Sequence, residues 1–507
     1  MNWKHPGGRL AAALASAAVA VSGLTAAAPP QETARTVSYH GYQVRVPADW
    51  RVVDLERHPD ACVRFDRPAV YLGRAGDRPD CPAGLVGRTE GLHIEPFAAD
   101  RVAPGTARSR TGTGVASRDG EIRLAAEEAG VLVTAAHTDA TEAHIRQVLG
   151  TARIAEGARP GKLPQAAPRA TALAAGPQPG NFTGKGFDAC TAPSQGAMDA
   201  WLANSPYRAV GVYISGGWRA CAQPNLTAGW VSTQTAKGWR LIPLDVGMQA
   251  PCTGFSSRMS YDPATARSQG ANAANGSVAA AQSLGIGAGS AIYSDIEGYS
   301  STASCKAAVL SYLSGWTDAL HTAGYLSGVY SSASSGIRDA AAEYDNPAYT
   351  RVDHINFAWW NGAADTNTGS YVPAGMWANH QRIHQYVGEV TETYGGVSIN
   401  IDRDYLDTGT GSPQPPAKYW VDTFADAPVF ASPTSTTPTG TLYAATNYVF
   451  CKAWGREIRD GAGNYNHWWL RTDPDVGPAG QYVSAYYLSR WGNDEARDNN
   501  GTVIPDC

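Results

Sequence analysis

"SAIYSDIEGYSSTASCKAAVLSYLSGWTDALHTAGYLSGVYSS", Ser290 to Ser332, decides the fold. "SAIYSDIE" is a mostly apolar run of strand length that ends on two acids. "SCKAAVLSYLSGWTDALHTAG" has the length and apolar spacing of a helix and closes on glycine, and "YLSGVYSS" returns to strand character. Strand, helix, strand at this spacing is the repeating unit of a parallel sheet. Within it, Asp295 and Glu297 are two residues apart. Side chains alternate along a strand, so the two would share a face with Cα atoms roughly 6–7 Å apart. Carboxylates that close, against a low-dielectric wall, do not ionise independently, and one is pushed toward keeping its proton. Acid–base chemistry on a glycosidic bond uses that asymmetry. The plainer alternative is a solvated strand end or a helix cap.

The same alternation extends in both directions. Eight strand-like runs, "KGFDAC", "RAVGVYIS", "RLIPLDVG", "SAIYSDIE", "YLSGVYSS", "HINFAWW", "RIHQYVG" and "VSINIDRD", lie between residues 184 and 408. Helical stretches separate most of them, so this segment has the size and rhythm of a (β/α)8 TIM-like barrel. After the sixth strand no helix is evident, and "ADTNTGSYVPAGMWANHQ" reads as a long loop.

In such a barrel, chemistry gathers where strands end. The strand ends offer Asp188, Tyr213, Asp245, Asp295 with Glu297, Tyr330, Trp359 with Trp360, Gln385 with Tyr386, and Asp402 with Asp404. Aromatic faces stack on sugar rings, while carboxylates and amides hydrogen-bond hydroxyls. The expected catalytic set is Glu297, Asp295 and Asp188, and the expected binding set is Tyr213, Asp245, Tyr330, Trp359, Gln385, Tyr386 and Asp402. Tyr213, Tyr330 and Trp359 could equally be core residues. No G-x-x-x-x-G-K-[ST], G-x-G-x-x-G or G-x-S-x-G motif occurs. His380 and His384 have a helical metal spacing, but His384 stands just before a strand-like run, so no metal and no cofactor is expected.

Outside the barrel, residues 1–28 have the positive start, apolar core and small-residue end of a signal peptide. Residues 36–154 read as a small α+β domain, with "VSYHGYQVRVPADW" as a half-buried strand and "DATEAHIRQVLGTARI" as a closing helix. Its His58, His93 and His137 show no ligand spacing and are expected on the surface. Residues 155–183 form a Pro/Gly/Ala-rich linker expected to be extended and mobile, and 409–417 form a second linker. Residues 418–507 alternate strand and turn signals, as a small SH3-like β-barrel would. Charged residues make up 17% of the chain and the formal net charge is −5, with no basic run. That pattern argues against a nucleic-acid partner. No later apolar stretch is long enough to span a membrane.

The eight cysteines partition two, four and two among the domains and lack C-x-x-C spacing, which reads as disulfides in a secreted protein. Cys62–Cys81 and Cys451–Cys507 are expected in the flanking domains. Cys190 and Cys221 follow strands one and two, while Cys252 and Cys305 follow strands three and four. Neighbouring parallel strands bring those loops together, so Cys190–Cys221 and Cys252–Cys305 are expected in the barrel.

"GFDACTAPS", "VGVYISG", "IYSDIEGY", "HQY" and "IDRDYLD" resemble, in order, the motifs of the actinobacterial glycoside-hydrolase-like barrels catalogued as a domain of unknown function. More distantly, the segment is similar to secreted D-x-E muramidases. The resemblance covers the whole barrel. It implies that Asp188, Asp295, Glu297 and Asp402 occupy motif positions, with Glu297 as proton donor. The muramidase pattern continues its first motif with Ser and an aromatic residue, whereas Cys190 stands here. The C-terminal region resembles bacterial SH3-like domains, which implies binding to wall or peptide, and the N-terminal region resembles uncharacterised extensions of secreted proteins. The resulting expectation is a secreted, wall-associated protein whose partner is cell-wall glycan or peptidoglycan and which acts as a glycoside hydrolase. The alternatives are a non-catalytic glycan-binding barrel and a structural wall protein. The oligomeric state is not legible.

Overall fold

The computed structural model describes residues 33–103, 105–158, 176–409, 418–478 and 480–507. The signal-peptide segment, most of the first linker and nearly all of the second lie outside the described residues.

The barrel strands are β1 (Phe182–Asp188), β2 (Ala209–Ser215), β3 (Arg240–Asp245), β4 (Ala291–Asp295), β5 (Leu326–Ser332), β6 (His354–Ala358), β7 (Gln381–Tyr394) and β8 (Val397–Thr408). They form one closed sheet in chain order. Helices α1 (Gln195–Asn204), α2 (Ala228–Ala236), α3 (Pro263–Leu284) and α4 (Ala303–Thr322) follow the first four strands. Three of these helices start where a hydroxyl caps them: Ser194, Thr227 and Thr302 accept from backbone N–H groups three residues on. Asp262 does the same for α3. After β5 there is only a π turn, Ala333–Ile337, and the short helix α5 (Arg338–Ala342). The connection after β6 is a loop, as its sequence indicates.

The architecture departs from a (β/α)8 barrel at its last strand. β1 through β7 are parallel, but β8 runs antiparallel to both β7 and β1. No helix separates β7 from β8. They form a long hairpin closed by Gly395 and Gly396, whose φ values of +57° and +76° suit residues without a Cβ.

Strand alternation divides the barrel into two apolar layers. Ala209, Ile242, Leu244, Ala291, Tyr293, Ile383 and Leu406 fill the interior. Phe187, Val210, Val212, Ile214, Leu241 and Ile292 face outward onto the helices, where Trp201, Trp230, Trp239 and Trp316 pack. This parity determines which strand-end side chains reach the barrel mouth.

The N-terminal domain is α+β, but "VSYHGYQVRVPADW" is not one strand. Ala34–Tyr39 and Tyr42–Pro47 form a hairpin turning at His40–Gly41. A six-stranded sheet and the helix Glu142–Gly150 complete the domain. His93 and His137, expected on the surface, are buried. His93 Nε2 lies 2.9 Å from the Gly73 carbonyl oxygen, and His137 Nε2 lies 2.6 Å from Ser117 Oγ. His93 sits in the strand Gly91–Pro96, which is buried on both faces, and His137 directly follows the strand Val131–Ala136.

The N-terminal domain is docked onto the barrel. The loop after β2 pairs with it through Phe65 N–H to Ala220 O (2.7 Å), Ala222 N–H to Val63 O (3.1 Å) and Gly87 N–H to Trp218 O (3.1 Å). The disulfides are Cys62–Cys81, Cys190–Cys221, Cys252–Cys305 and Cys451–Cys507. The first two meet across the domain boundary, with Cys62 Sγ 3.7 Å from Cys221 Sγ.

The C-terminal domain is all-β. A five-stranded antiparallel sheet is accompanied by a two-stranded ribbon of Tyr419–Asp422 with Thr446–Val449. Arg471 Nη1 reaches Asp345 Oδ1 of the barrel at 3.4 Å. Among the described residues, no helix is long and apolar enough to cross a membrane.

Candidate active site

Inward parity brings together five acids at the barrel mouth. Asp188 ends β1, Asp295 ends β4, Glu297 follows one turn of alternation later, and Asp402 and Asp404 project from β8. Asp188 and Asp402 are register partners across the β1–β8 pair. β8 runs backwards, so its acids reach the mouth from the strand's middle rather than its end. On the other side of β1, Asp188 pairs with Gly211. A Cβ on Gly211 would lie 2.4 Å from the Asp188 Cβ, so only glycine leaves room for the acid.

Gln385, on β7, ties the cluster together. Its Nε2 donates to Asp188 Oδ2 (3.0 Å) and Asp402 Oδ2 (3.3 Å), while its Oε1 accepts from Tyr330 Oη and Trp360 Nε1, both at 3.0 Å. Tyr213 Oη donates to Asp188 Oδ1 at 3.4 Å, and the Glu389 N–H donates to Asp402 Oδ1 at 2.5 Å. Gln249, wholly buried after β3, fixes the D-x-E pair from behind. Its Nε2 donates to the Asp295 carbonyl (2.9 Å), and its Oε1 accepts the Glu297 N–H (2.8 Å).

The charges that act on these acids are chiefly one another's. Burial, opposed by hydrogen bonds from Gln385 and Tyr213, leaves Asp188 at about 6. Burial and the Asp188 charge push Asp402 up to about 8. Burial raises Glu297, with Asp188 adding to it. Asp295 and Asp404 are held well above the ordinary aspartate range by burial first, and then by neighbouring carboxylates. The result is a site that retains protons at neutral pH.

Three expected residues are placed elsewhere. Asp245 faces the helix layer, where its Oδ2 accepts from Ser215 Oγ (2.8 Å) and Ser277 Oγ (2.9 Å). It has the outward parity of Leu241. Trp359 packs against Tyr371 and stacks near His384. Trp360 is the tryptophan at the mouth, 60% exposed and bonded to Gln385. Tyr386 also turns outward, toward the ring of His384 and the charges of Arg403 and Glu392. His384 is buried in β7, and its ring nitrogens face the carbonyls of Asp365 and Trp359.

Trp360 and Asp404 were visible at strand ends, and parity with the interior residues would have selected them. Gln249 left no such signal, because nothing local in "DVGMQAP" points to strand β4.

Residues 199–406 match the family model described as Rv2525c-like, glycoside hydrolase-like domain. The matched stretch begins after β1, leaving Asp188 outside it. No curated protein matches the chain at a significant level. Similar solved structures include the Tat-secreted Mycobacterium tuberculosis protein Rv2525c, at 16% identity and a TM-score of 0.32, covering 46% of this chain and 98% of that one. The Clostridium perfringens spore cortex lytic enzyme SleM is 12% identical with a TM-score of 0.31, covering 64% and 95%. The modular autolysin LytC of Streptococcus pneumoniae is 12% identical with a TM-score of 0.28, covering 44% and 46%.

Proposed function

We propose that the barrel mouth binds a cell-wall glycan, peptidoglycan or a related polysaccharide, and hydrolyses its glycosidic bonds. The carrying observation is the convergence of four buried aspartates and the partly buried Glu297 at one barrel mouth beside an exposed tryptophan. Glu297 is the least buried of the five, and its backbone is fixed by Gln249. In this reading its carboxyl gives its proton to the leaving glycosidic oxygen. Asp295 or Asp188 stabilises the positive charge that develops on the sugar, or holds a neighbouring acetamido group. Water then supplies the hydroxyl to the anomeric carbon and returns a proton to the site. Trp360 offers its ring face to a sugar.

The rest of the chain fits an extracellular role. Four disulfides suit an oxidising compartment, and the signal-like segment would direct secretion. The C-terminal domain, read as SH3-like, exposes Trp420, Phe424, Tyr443, Trp454 and Trp491, rings suited to holding wall material.

The test is release of reducing ends from peptidoglycan and a panel of polysaccharides by wild type and Glu297→Gln. The variant keeps shape and hydrogen bonding but loses the titrating proton, so turnover is expected to fall by about 10²-fold or more with glycan affinity retained. The second reading, a glycan-binding barrel, draws on Gln385, which already occupies both Asp188 and Asp402. Binding without hydrolysis in wild type, unchanged by Glu297→Gln, would replace the enzyme reading with it.

A further inference from the structure

A cavity of about 370 Å³ lies between the N-terminal domain and the barrel, and none of the five acids of the barrel mouth lines it. Its two walls differ in chemistry. Arg101, Arg118 and Arg123 come from the N-terminal domain and Arg219 from the loop after β2. Leu226, Ala279, Ala280 and Leu284 line the opposite side, from the loop before α2 and from α3.

The cationic wall carries more charge than its own acids balance. Glu121 Oε1 accepts from Arg88 Nη2 (3.0 Å) and lies 3.4 Å from Arg219 Nη2, while its Oε2 lies 2.6 Å from Arg123 Nη2. Arg101 Nε donates to Glu95 Oε2 at 2.8 Å. Arg88 behind the wall and Arg101, Arg123 and Arg219 on it face Glu95, Asp119 and Glu121, an excess of one positive charge, while Arg118 at the rim is exposed. Uncompensated buried charge is costly, and a bound anion would offset it.

One donor there has no partner. Arg101 Nη2 is buried with no hydrogen-bond acceptor among the described residues. The same guanidinium spans the domain boundary, with Nη1 3.4 Å from Asn225 Oδ1 of the barrel. A carboxylate in the cavity would bring an acceptor to the Arg101 guanidinium, whose fork geometry suits carboxylates. The aliphatic wall gives a short apolar body a surface to pack against.

We infer that this interdomain cavity binds a small carboxylate with a short aliphatic body, held by Arg101 and packed against α3. The free C-terminus of a short peptide and a short-chain fatty acid share that chemistry. The site is independent of the glycan reading.

Calorimetric titration of the full chain with N-acetyl-alanyl-alanine, its C-terminal amide, butyrate and inorganic phosphate tests the inference. Saturable binding of at least one of the two carboxylates is expected, and the tighter one identifies the source. The amide should bind at least tenfold more weakly than its parent acid. Arg101→Gln should weaken binding at least tenfold, and Ala280→Phe, which fills the aliphatic side from a partly exposed helix position, should abolish it. Glu297→Gln should leave it unchanged. Absence of saturable binding at millimolar carboxylate overturns the proposal, as does equal affinity for acid and amide. Phosphate binding as tightly as either carboxylate, undisturbed by Ala280→Phe, would overturn the aliphatic half of the site.

Discussion

Asp188 and Asp402 face each other across antiparallel β1 and β8, and the single amide of Gln385 donates to both. Two buried acids are thereby held at a fixed spacing by a residue whose other end is committed to Tyr330 and Trp360. Removing the amide leaves four polar groups short of a partner. Gln385→Leu is therefore expected to destabilise the barrel by about 2–4 kcal/mol, since each buried group left unpaired costs about 1–3 kcal/mol and some will find water. Denaturant unfolding followed by tryptophan fluorescence reads this directly. A change below about 0.5 kcal/mol would show that the network contributes nothing to the fold.

Stability should fall as pH rises from about 4 to about 8. Burial holds Asp188 at about 6 and Asp402 at about 8, above the unfolded aspartate value of about 3.9. In that window the folded protein keeps protons that the unfolded chain releases, so raising pH favours unfolding. Each retained proton contributes up to about 1.4 kcal/mol per pH unit. Urea midpoints at pH 5, 7 and 9 should decrease in that order, and Asp402→Asn should flatten the trend. Rising stability from pH 5 to pH 8 would contradict the cluster's charge balance.

Trp360 and Trp359 are adjacent in sequence but should separate function from packing. Trp360 is largely exposed, so Trp360→Ala should cost less than about 1 kcal/mol of stability while weakening glycan binding roughly threefold to tenfold, the scale of one ring contact. Trp359 packs under Tyr371 and against His384, so Trp359→Ala should cost about 3 kcal/mol. Thermal unfolding together with glycan co-sedimentation distinguishes the two. Equal stability losses for both variants would remove Trp360 from the site.

The β7–β8 hairpin can be probed at its turn. A Cβ on Gly395 would lie 2.7 Å from Asn204 Nδ2 and 3.0 Å from Ala200 O, whereas one on Gly396 meets open space. Both residues have positive φ, so each alanine carries about 1–2 kcal/mol of backbone strain. Gly395→Ala should cost more than Gly396→Ala in denaturant unfolding. The reverse order would mean that the turn packs on α1 differently.

The sequence by itself determined what depends on local spacing. Strand and helix lengths in "SAIYSDIEGYSSTASCKAAVLSYLSGWTDALHTAGYLSGVYSS" gave the βαβ unit. Adjacent parallel strands gave Cys190–Cys221 and Cys252–Cys305, and the D-x-E spacing put Asp295 and Glu297 on one face. The reversal of β8 was also written locally, in the Gly395–Gly396 turn between two runs of alternating polar and apolar residues, "VTETY" and "VSINI".

Tertiary structure alone decided which face of each strand closes inward. Closure therefore placed Asp404 and Trp360 at the mouth and turned Asp245, Trp359 and Tyr386 to the outer layer, a choice strand-end position does not contain. Gln249 supports Glu297, and Arg219 reaches Glu121, only because the folded sheet and the docked N-terminal domain bring them together. Those contacts span 48 and 98 residues of chain. Spacing along a chain encodes periodicity and turn geometry, whereas burial and the charge felt by an acid are set by every surface that packs around it.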